Sequence, residues 1–347
     1  MRVVFFLQGR SVPAARARGL ALADWLENAG VECLRLAPNP SVYGDTALPW
    51  PLGKPRQLYA LVAALPRLAQ LVRLRRGDVV FFQRFMLELP GVVLERLVSA
   101  RHRTLFDFDD AIYNSRVGRR KLKRITAIVD QVVAGNPTLA AAAAVPDKTT
   151  IIPTAIDTER FRPLRQHTAS GAAVVVGWTG LASNYRQLAT AVPGIQRALA
   201  VTGARFRVIS NAPPPRAVAA LDPEYVPWRP ESELEDLAAL DVGVMPLPDE
   251  PYARGKCAFK LLQYMSMGLP GVASPVGMNR DVVTPGVTGF LPTTPAEWTD
   301  AIVRLVEDAR LRTELGRAAR ERVVSTYSQA ALYPRYLPIL QRLERLA

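Results

Sequence analysis

Apolar and polar positions along the 347-residue chain fall into two successive series of strand-like and helix-like segments. Short apolar runs that suit buried strands stand at 2–7, 32–36, 78–83, 103–107, 131–134 and 149–152. Between the first two, Leu20, Leu22, Ala23 and Leu26 repeat at helical spacing, which predicts a helix over 18–29 and a βαβ unit around it. A Pro-rich polar stretch at 38–55 is followed by a second helical segment at 57–75. The pattern lapses at 156–172, around Pro163 and Gly171, which sets a domain boundary at about residue 165. A second series then places strands at 173–178, 205–210, 224–226, 242–246, 271–273 and 289–291. Residues 332–346 form a last helix, interrupted at Pro334 and Pro338 and long enough to cross back to the first domain. The prediction is α/β, with two doubly wound domains at 1–165 and 166–330 and a terminal helix at 331–347.

Composition narrows the class. A hydrophobic content of 49% fills real cores, and 22% charged residues spread along the chain, with 29 Pro and 22 Gly, exclude a coiled coil, a collagen repeat and wholesale disorder. Cys33 and Cys257 alone cannot make a disulfide framework or a cysteine-rich zinc site, which points to a reducing compartment. The apolar stretch 3–7 is too short for a signal-peptide core, and no run approaches the roughly 20 apolar residues of a membrane span. A cytoplasmic protein, soluble or peripheral on the inner face of the membrane, is expected.

The net charge of +13 is uneven: residues 1–165 carry 25 Lys plus Arg against 14 Asp plus Glu (+11), and residues 166–347 carry 19 against 17 (+2). Such asymmetry suits nucleic acid, an anionic membrane or phosphorylated small molecules. No helix-turn-helix, RNA-recognition or zinc-finger pattern is present, so no nucleic-acid partner is expected. Arg119, Arg120, Lys121, Lys123 and Arg124 oppose Leu122, Ile125, Ile128 and Val132, as in a helix lying on anionic lipid. A solvated helix face is the alternative.

In open α/β sheets ligands bind beyond the carboxyl ends of the strands. Gly9, directly after the first strand, lets backbone approach a ligand, or makes only a tight turn. Asp107, Asp109 and Asp110 crowd the end of a strand and repel one another unless a cation meets them; Asp110 would otherwise cap the next helix. The D-x-D spacing is too common to carry a metal site. After the first strand of the second domain, Gly177 and Gly180 frame a loop whose N–H groups suit phosphate, with Arg186 in reach. Lys256, Lys260 and Gln263 share one face of a predicted helix, and Arg254, Lys256 and Lys260 crowd the end where the helix dipole disfavours cations. A bound anion would remove that conflict. Gly277 and Met278 follow another strand and offer further backbone donors.

The run GKCAFKLLQYMSMGLPGVASPVGMN, followed by GVTGFLPTTPAEW, resembles the donor-binding half of family 4 (group 1) retaining glycosyltransferases of the GT-B fold, and more narrowly a bacterial subgroup. VVVGWTGLASNY, DVGVMPLPDEPY, FDFDDAIY, VVAGNPTLA and IIPTAID extend the likeness over nearly the whole chain. The resemblance implies two Rossmann-like domains facing a central cleft. It implies a nucleotide diphosphate sugar as donor, no cofactor or required metal, and a glycan, lipid-linked or other envelope acceptor. It implies catalytic roles for Lys256 and Lys260 against the diphosphate, with Arg186 as a further candidate, and places Gln263 at a ribose-contacting position, with Asp107 or Asp109 on the acceptor side. With the strand-end positions above, the expected donor contacts are Gly9, Gly180, Arg186, Gln263, Gly277 and Met278. The chain departs from the family's E-x7-E signature, with Gly255 and Gln263 at the matching positions, and its two histidines, His102 and His167, match no family position. A GT-B epimerase or phosphorylase, or a degenerate non-catalytic binding protein, remain the alternatives.

Overall fold

The computed structural model describes residues 1–10, 12–38, 56–87, 89, 91–164 and 173–346. The chain divides into two compact units, Met1–Ala155 with Gln329–Ala347, and Ile156–Ser328. The first unit holds β1 (Arg2–Phe6), β2 (Glu32–Leu36), β3 (Val79–Gln83), β4 (Arg103–Phe108), β5 (Gln131–Ala134) and β6 (Thr149–Ile151). They form one sheet in the order β2-β1-β3-β4-β5-β6, parallel at every pairing. The order reverses direction between β1 and β3, the place where α/β sheets open a ligand crevice. Parallel strands are covered on both faces, which is why β1 and β3 are continuous apolar runs rather than alternating ones. Phe5 and Phe81 meet at 4.7 Å between ring centroids, and Phe6 and Phe82 at 6.0 Å.

The helix predicted over 18–29 is interrupted at its start. A π-helical turn, Arg16–Leu20, precedes the α-helix Ala21–Asn28, whose Leu22, Ala23 and Leu26 are buried. Arg18, in the π turn, is 2% exposed. Its Nε and one terminal nitrogen donate to the two Oδ atoms of Asp107, each at 2.7 Å, and Tyr336 Oη donates to Asp107 Oδ2 at 2.9 Å. Burial alone would weaken the Arg18 charge, but Asp107 more than offsets it and holds the guanidinium firmly protonated.

Tyr336 belongs to the returning C-terminal segment. Leu332, Tyr333, Tyr336, Ile339, Leu340 and Leu343 share a core with Val3, Phe5, Leu22, Leu26 and Phe81. The prolines decide its local form: Pro334 opens a 3₁₀ turn, Tyr333–Tyr336, and Pro338 opens the helix Leu337–Arg345.

The second unit holds β7 (Val175–Thr179), β8 (Arg205–Ser210), β9 (Glu224–Pro227), β10 (Val242–Met245), β11 (Gly271–Ala273) and β12 (Gly289–Phe290). Their order is β12-β11-β10-β7-β8-β9, again all parallel, with the reversal between β7 and β10. Val176, Trp178, Ile195, Val208, Trp298 and Ile302 belong to its core. The expected boundary at about 165 lies beyond the observed division between Ala155 and Ile156. Backbone pairing accounts for the difference: Ile156 N donates to Tyr327 O at 2.9 Å and forms a β-bridge with Ser328, so it is already tied into the second unit. Of the Pro-rich stretch 38–55, all but Pro38 lies outside the described residues.

Asp107→Asn leaves the Arg18 charge buried without its partner, and the expected loss is about 3–5 kcal/mol in urea unfolding. Tyr336→Phe removes two hydrogen bonds, the one its hydroxyl donates to Asp107 and the one it accepts from Arg18, and is expected to cost about 2–3 kcal/mol in the same measurement.

Candidate functional site

The densest group of sequence-predicted residues gathers at the carboxyl ends of β7 and β10. Thr179 closes β7, and its N–H donates to Tyr264 Oη at 2.8 Å. Tyr264 is fully buried, and Gly243 of β10 leaves the space its ring occupies. Burial pushes the Tyr264 phenol well up, so it stays neutral. Trp178, 1% exposed, presents its ring face to Lys260, whose Nζ lies 4.2 Å from the ring centroid. Gly180 is required for this arrangement: a Cβ there would lie 2.5 Å from Lys260 Nζ and 2.8 Å from Trp178 Cζ2.

Lys260 stands in the first turn of the helix Phe259–Ser266. The residue before that helix, Ala258, has φ +53° and offers no side-chain cap. A non-glycine residue there stores on the order of 1 kcal/mol of strain. Lys256 Nζ lies 4.7 Å from the Tyr252 ring centroid, and its charge acts on Lys260. Burial first, and then Lys256, push the Lys260 ammonium down to about 7, although the residue as a whole keeps some exposure. Two cations at a helix N-terminus, one over an indole face, make a local field that an anion satisfies.

The loop after β11 is held close to this group. Gly277 has φ +53°, and a Cβ on it would lie 2.6 Å from Arg254 O, so the loop touches the backbone just before Lys256. Ser274 Oγ accepts from Leu247 N at 3.0 Å, which joins the loops after β10 and β11. Met278 is buried at the start of the short helix Asn279–Val282.

The other expected donor contacts have protein partners. Arg186 pairs with Glu250 at 2.6 Å, and Arg254 with Asp249 at 2.6 Å. Gln263 is buried and donates to Glu233 Oε1 at 3.2 Å, while Glu233 pairs with Arg160 at 2.8 Å. Glu233 and Arg160 carried no signal in sequence, because each is far along the chain from Gln263. Tyr264 and Trp178 lay inside the recognised runs, yet only packing shows that one anchors the end of β7 and the other carries Lys260.

In the first unit the acidic group separates. Asp107 is buried with both oxygens on Arg18 and Tyr336, so the expectation that it touches a substrate is corrected to a core ion pair. Asp109 accepts from Arg84 at 2.7 and 3.1 Å. Burial would raise the Asp109 carboxyl, but Arg84 and then Arg18 hold it below the ordinary carboxylate range. The mutual repulsion is therefore met by two arginines. Asp110 bonds the next backbone N–H, of Ala111, and the helix Arg116–Ile128 is capped by Ser115 instead. Gly9 is buried just beyond β1, where Gln8 N donates to Gln83 Oε1 at 3.0 Å. His102 lies on the turn before β4, and His167 lies outside the described residues. Among the described residues, no group of three His, Cys, Asp or Glu side chains could hold a metal ion.

Residues 173–308 match the family described as glycosyl transferases group 1. The match lies wholly within the second unit and spans the Lys260 site. No curated protein matches the chain. Among solved structures the chain is similar to sucrose-phosphate synthase from Thermosynechococcus elongatus, with TM-score 0.74 and 15% identity over 100% of this chain and 99% of that one. It is also similar to HepE of Anabaena, solved in complex with UDP and glucose, with TM-score 0.69 and 16% identity over 99% of this chain and 100% of that one. A glycosyltransferase from Rickettsia africae gives TM-score 0.69 and 12% identity over 99% and 98%. The fold is thus that of the GT-B glycosyltransferases, two parallel six-stranded α/β units.

The depressed Lys260 has a measurable consequence without any ligand. The unfolded chain binds a proton that the folded chain gives up between about pH 7 and 10.5, so the cost of burying Lys260 is complete below pH 7 and fades as pH rises toward 10.5. Lys260→Met is expected to stabilise the protein by on the order of 1–2 kcal/mol at pH 6 and by almost nothing near pH 10, read from urea unfolding at each pH.

Proposed function

We propose that the protein is a retaining glycosyltransferase that moves a sugar from a nucleotide diphosphate sugar to a glycan or lipid-linked envelope acceptor, without a required metal. The observation that carries the reading is the Lys256 and Lys260 pair at the end of β7, one of them desolvated over Trp178 beside Gly180. As the bond from the sugar to the diphosphate breaks, negative charge grows on the phosphate oxygens. Fixed cations and helix N–H groups aimed at that charge lower the barrier more than they tighten ground-state binding. Lys260 and Lys256 are the groups that supply this charge, and the missing side chain at Gly180 leaves the room that Lys260 and Trp178 need. The match to glycosyl transferases group 1 over 173–308 supports the same assignment. HepE, of similar fold, was solved with UDP and glucose, which makes UDP-sugars the first donors to test.

Gln263, at the position matching the second glutamate of the E-x7-E signature, is hydrogen-bonded to Glu233, so in this reading the Gln263 and Glu233 pair takes the place of a single glutamate. Asp109, held ionised by Arg84, stays in the reading as the acceptor-side carboxylate, and Asp107 leaves it.

A thermal-shift screen against UDP-, GDP- and ADP-sugars is expected to raise the melting temperature with one nucleotide class. Calorimetry with that donor should then show affinity falling at least tenfold in Lys260→Ala and in Lys256→Ala. Unchanged affinity in both single variants refutes the phosphate site. Because the bound diphosphate favours protonated Lys260, wild-type binding should take up a proton above about pH 7 and weaken as pH rises further.

A further inference from the structure

The largest charge feature left unused by the donor site is the helix Arg116–Ile128 in the first unit. Its packing differs from a helix lying free on lipid. Leu122 and Ile125 are buried against the unit, and Val132 belongs to β5, so the apolar face is already covered. Lys121 is buried too, with Nζ 4.2 Å from the Phe85 ring centroid and donating to Leu87 O. What remains outside is a face of Arg116, Arg119, Arg120, Lys123 and Arg124, all exposed. Among the described residues none of these five forms an ion pair, and the helix contains no acidic residue.

The neighbouring helix extends this face. β3, β4 and β5 advance one position at a time in the same direction, and right-handed crossovers put both connecting helices on one side of the sheet. The helix Val93–Ser99 accordingly packs beside Arg116–Ile128. It exposes Val93 (68%), Arg96 and Leu97 (45%), while its one acid, Glu95, is buried and accepts from Met86 N. Val117 on the basic helix is 52% exposed. Cations without counter-charges, set among exposed aliphatic side chains, match the two properties of an anionic bilayer surface: phosphate charge outside and hydrocarbon just beneath. Nucleic acid would account for the cations but not for the aliphatic residues, and neither helix carries an aromatic side chain to stack on bases.

We propose that the paired helices Val93–Ser99 and Arg116–Ile128 form a docking surface for anionic phospholipid headgroups. The surface binds by charge, with shallow contact from Val93, Leu97 and Val117 rather than insertion of a helix. It lies on the first unit and stands whether or not the second unit binds a nucleotide sugar.

The test is flotation of the full-length protein with phosphatidylcholine vesicles, with and without phosphatidylglycerol. Binding is expected only with phosphatidylglycerol, and it should weaken between low and physiological salt. Arg120→Glu with Arg124→Glu should lower the partition coefficient at least thirtyfold. Arg310→Glu with Arg317→Glu makes the same change of net charge in the second unit, at arginines already paired with Glu314 and Glu321, and should lower it less than threefold. Leu97→Ser should weaken the binding that survives at physiological salt. If the double variant on the basic helix loses its thermal unfolding transition, Arg120→Gln with Arg124→Gln repeats the comparison, with at least a fivefold loss expected. Equal losses in the two double variants, no binding to phosphatidylglycerol at low salt, or release of bound protein by single-stranded RNA at equal charge concentration would each overturn the proposal.

Discussion

The first unit is organised around a buried charge pair that hydrophobic packing alone would not place there. Arg18 and Asp107 meet on two 2.7 Å hydrogen bonds, and Tyr336 closes the group from the other end of the chain. Three segments are thereby made to agree: the π turn before the first long helix, the end of β4, and the C-terminal return. Desolvating two charges is costly, so the pair is stable only while its full set of hydrogen bonds is intact. Arg18 also donates to Ile152 O and Thr154 Oγ1, so the segment just after the last strand of the sheet shares the same anchor. The apolar contacts of Leu332, Tyr333 and Leu340 supply most of the burial of the return segment, and the charge pair sets its register.

The second unit applies the same physics to two cations. Lys260 is drawn over Trp178 and beside Lys256, where a buried cation with a like-charged neighbour is unfavourable. The left-handed Ala258 and the close approach at Gly180 fix that geometry rather than relieve it. In the first unit burial and charge are balanced internally by Asp107. In the second, burial and the neighbouring Lys256 both act against the Lys260 charge. The contrast separates a buried cation that has its counter-charge from one that faces a like charge.

Much of the fold was legible in the order of residues. β1, β3 and β10 follow from short apolar runs, because parallel strands covered on both faces need continuous rather than alternating hydrophobicity, whereas β2, β6 and β9 are mixed and partly exposed. The prolines at 334 and 338 announced the breaks in the last helix. The basic helix was legible as an amphipathic pattern, but not which way it faced. Periodicity shows that Leu122 and Ile125 share a side, whether that side meets lipid or the protein's own sheet. The boundary near 165 was misplaced because Ile156 joins the second unit through backbone pairing with Tyr327 and Ser328, a bond to residues far along the chain that no local window contains.

The candidate site divides in the same way. Sequence by itself determined that Gly180, Lys256, Lys260 and Gly277 follow strands of a Rossmann-like unit, where ligands bind, because that depends on local strand ends and spacing. Only the tertiary structure decided which charges were already taken. Asp107 and Asp109 looked alike in FDFDDAIY, yet one is sealed against Arg18 and Tyr336 and the other is held by Arg84. Gln263 shared a helix face with Lys260 but turns to Glu233. A charged side chain takes its role from the partner and the solvent around it, and both are set by segments brought together from distant parts of the chain.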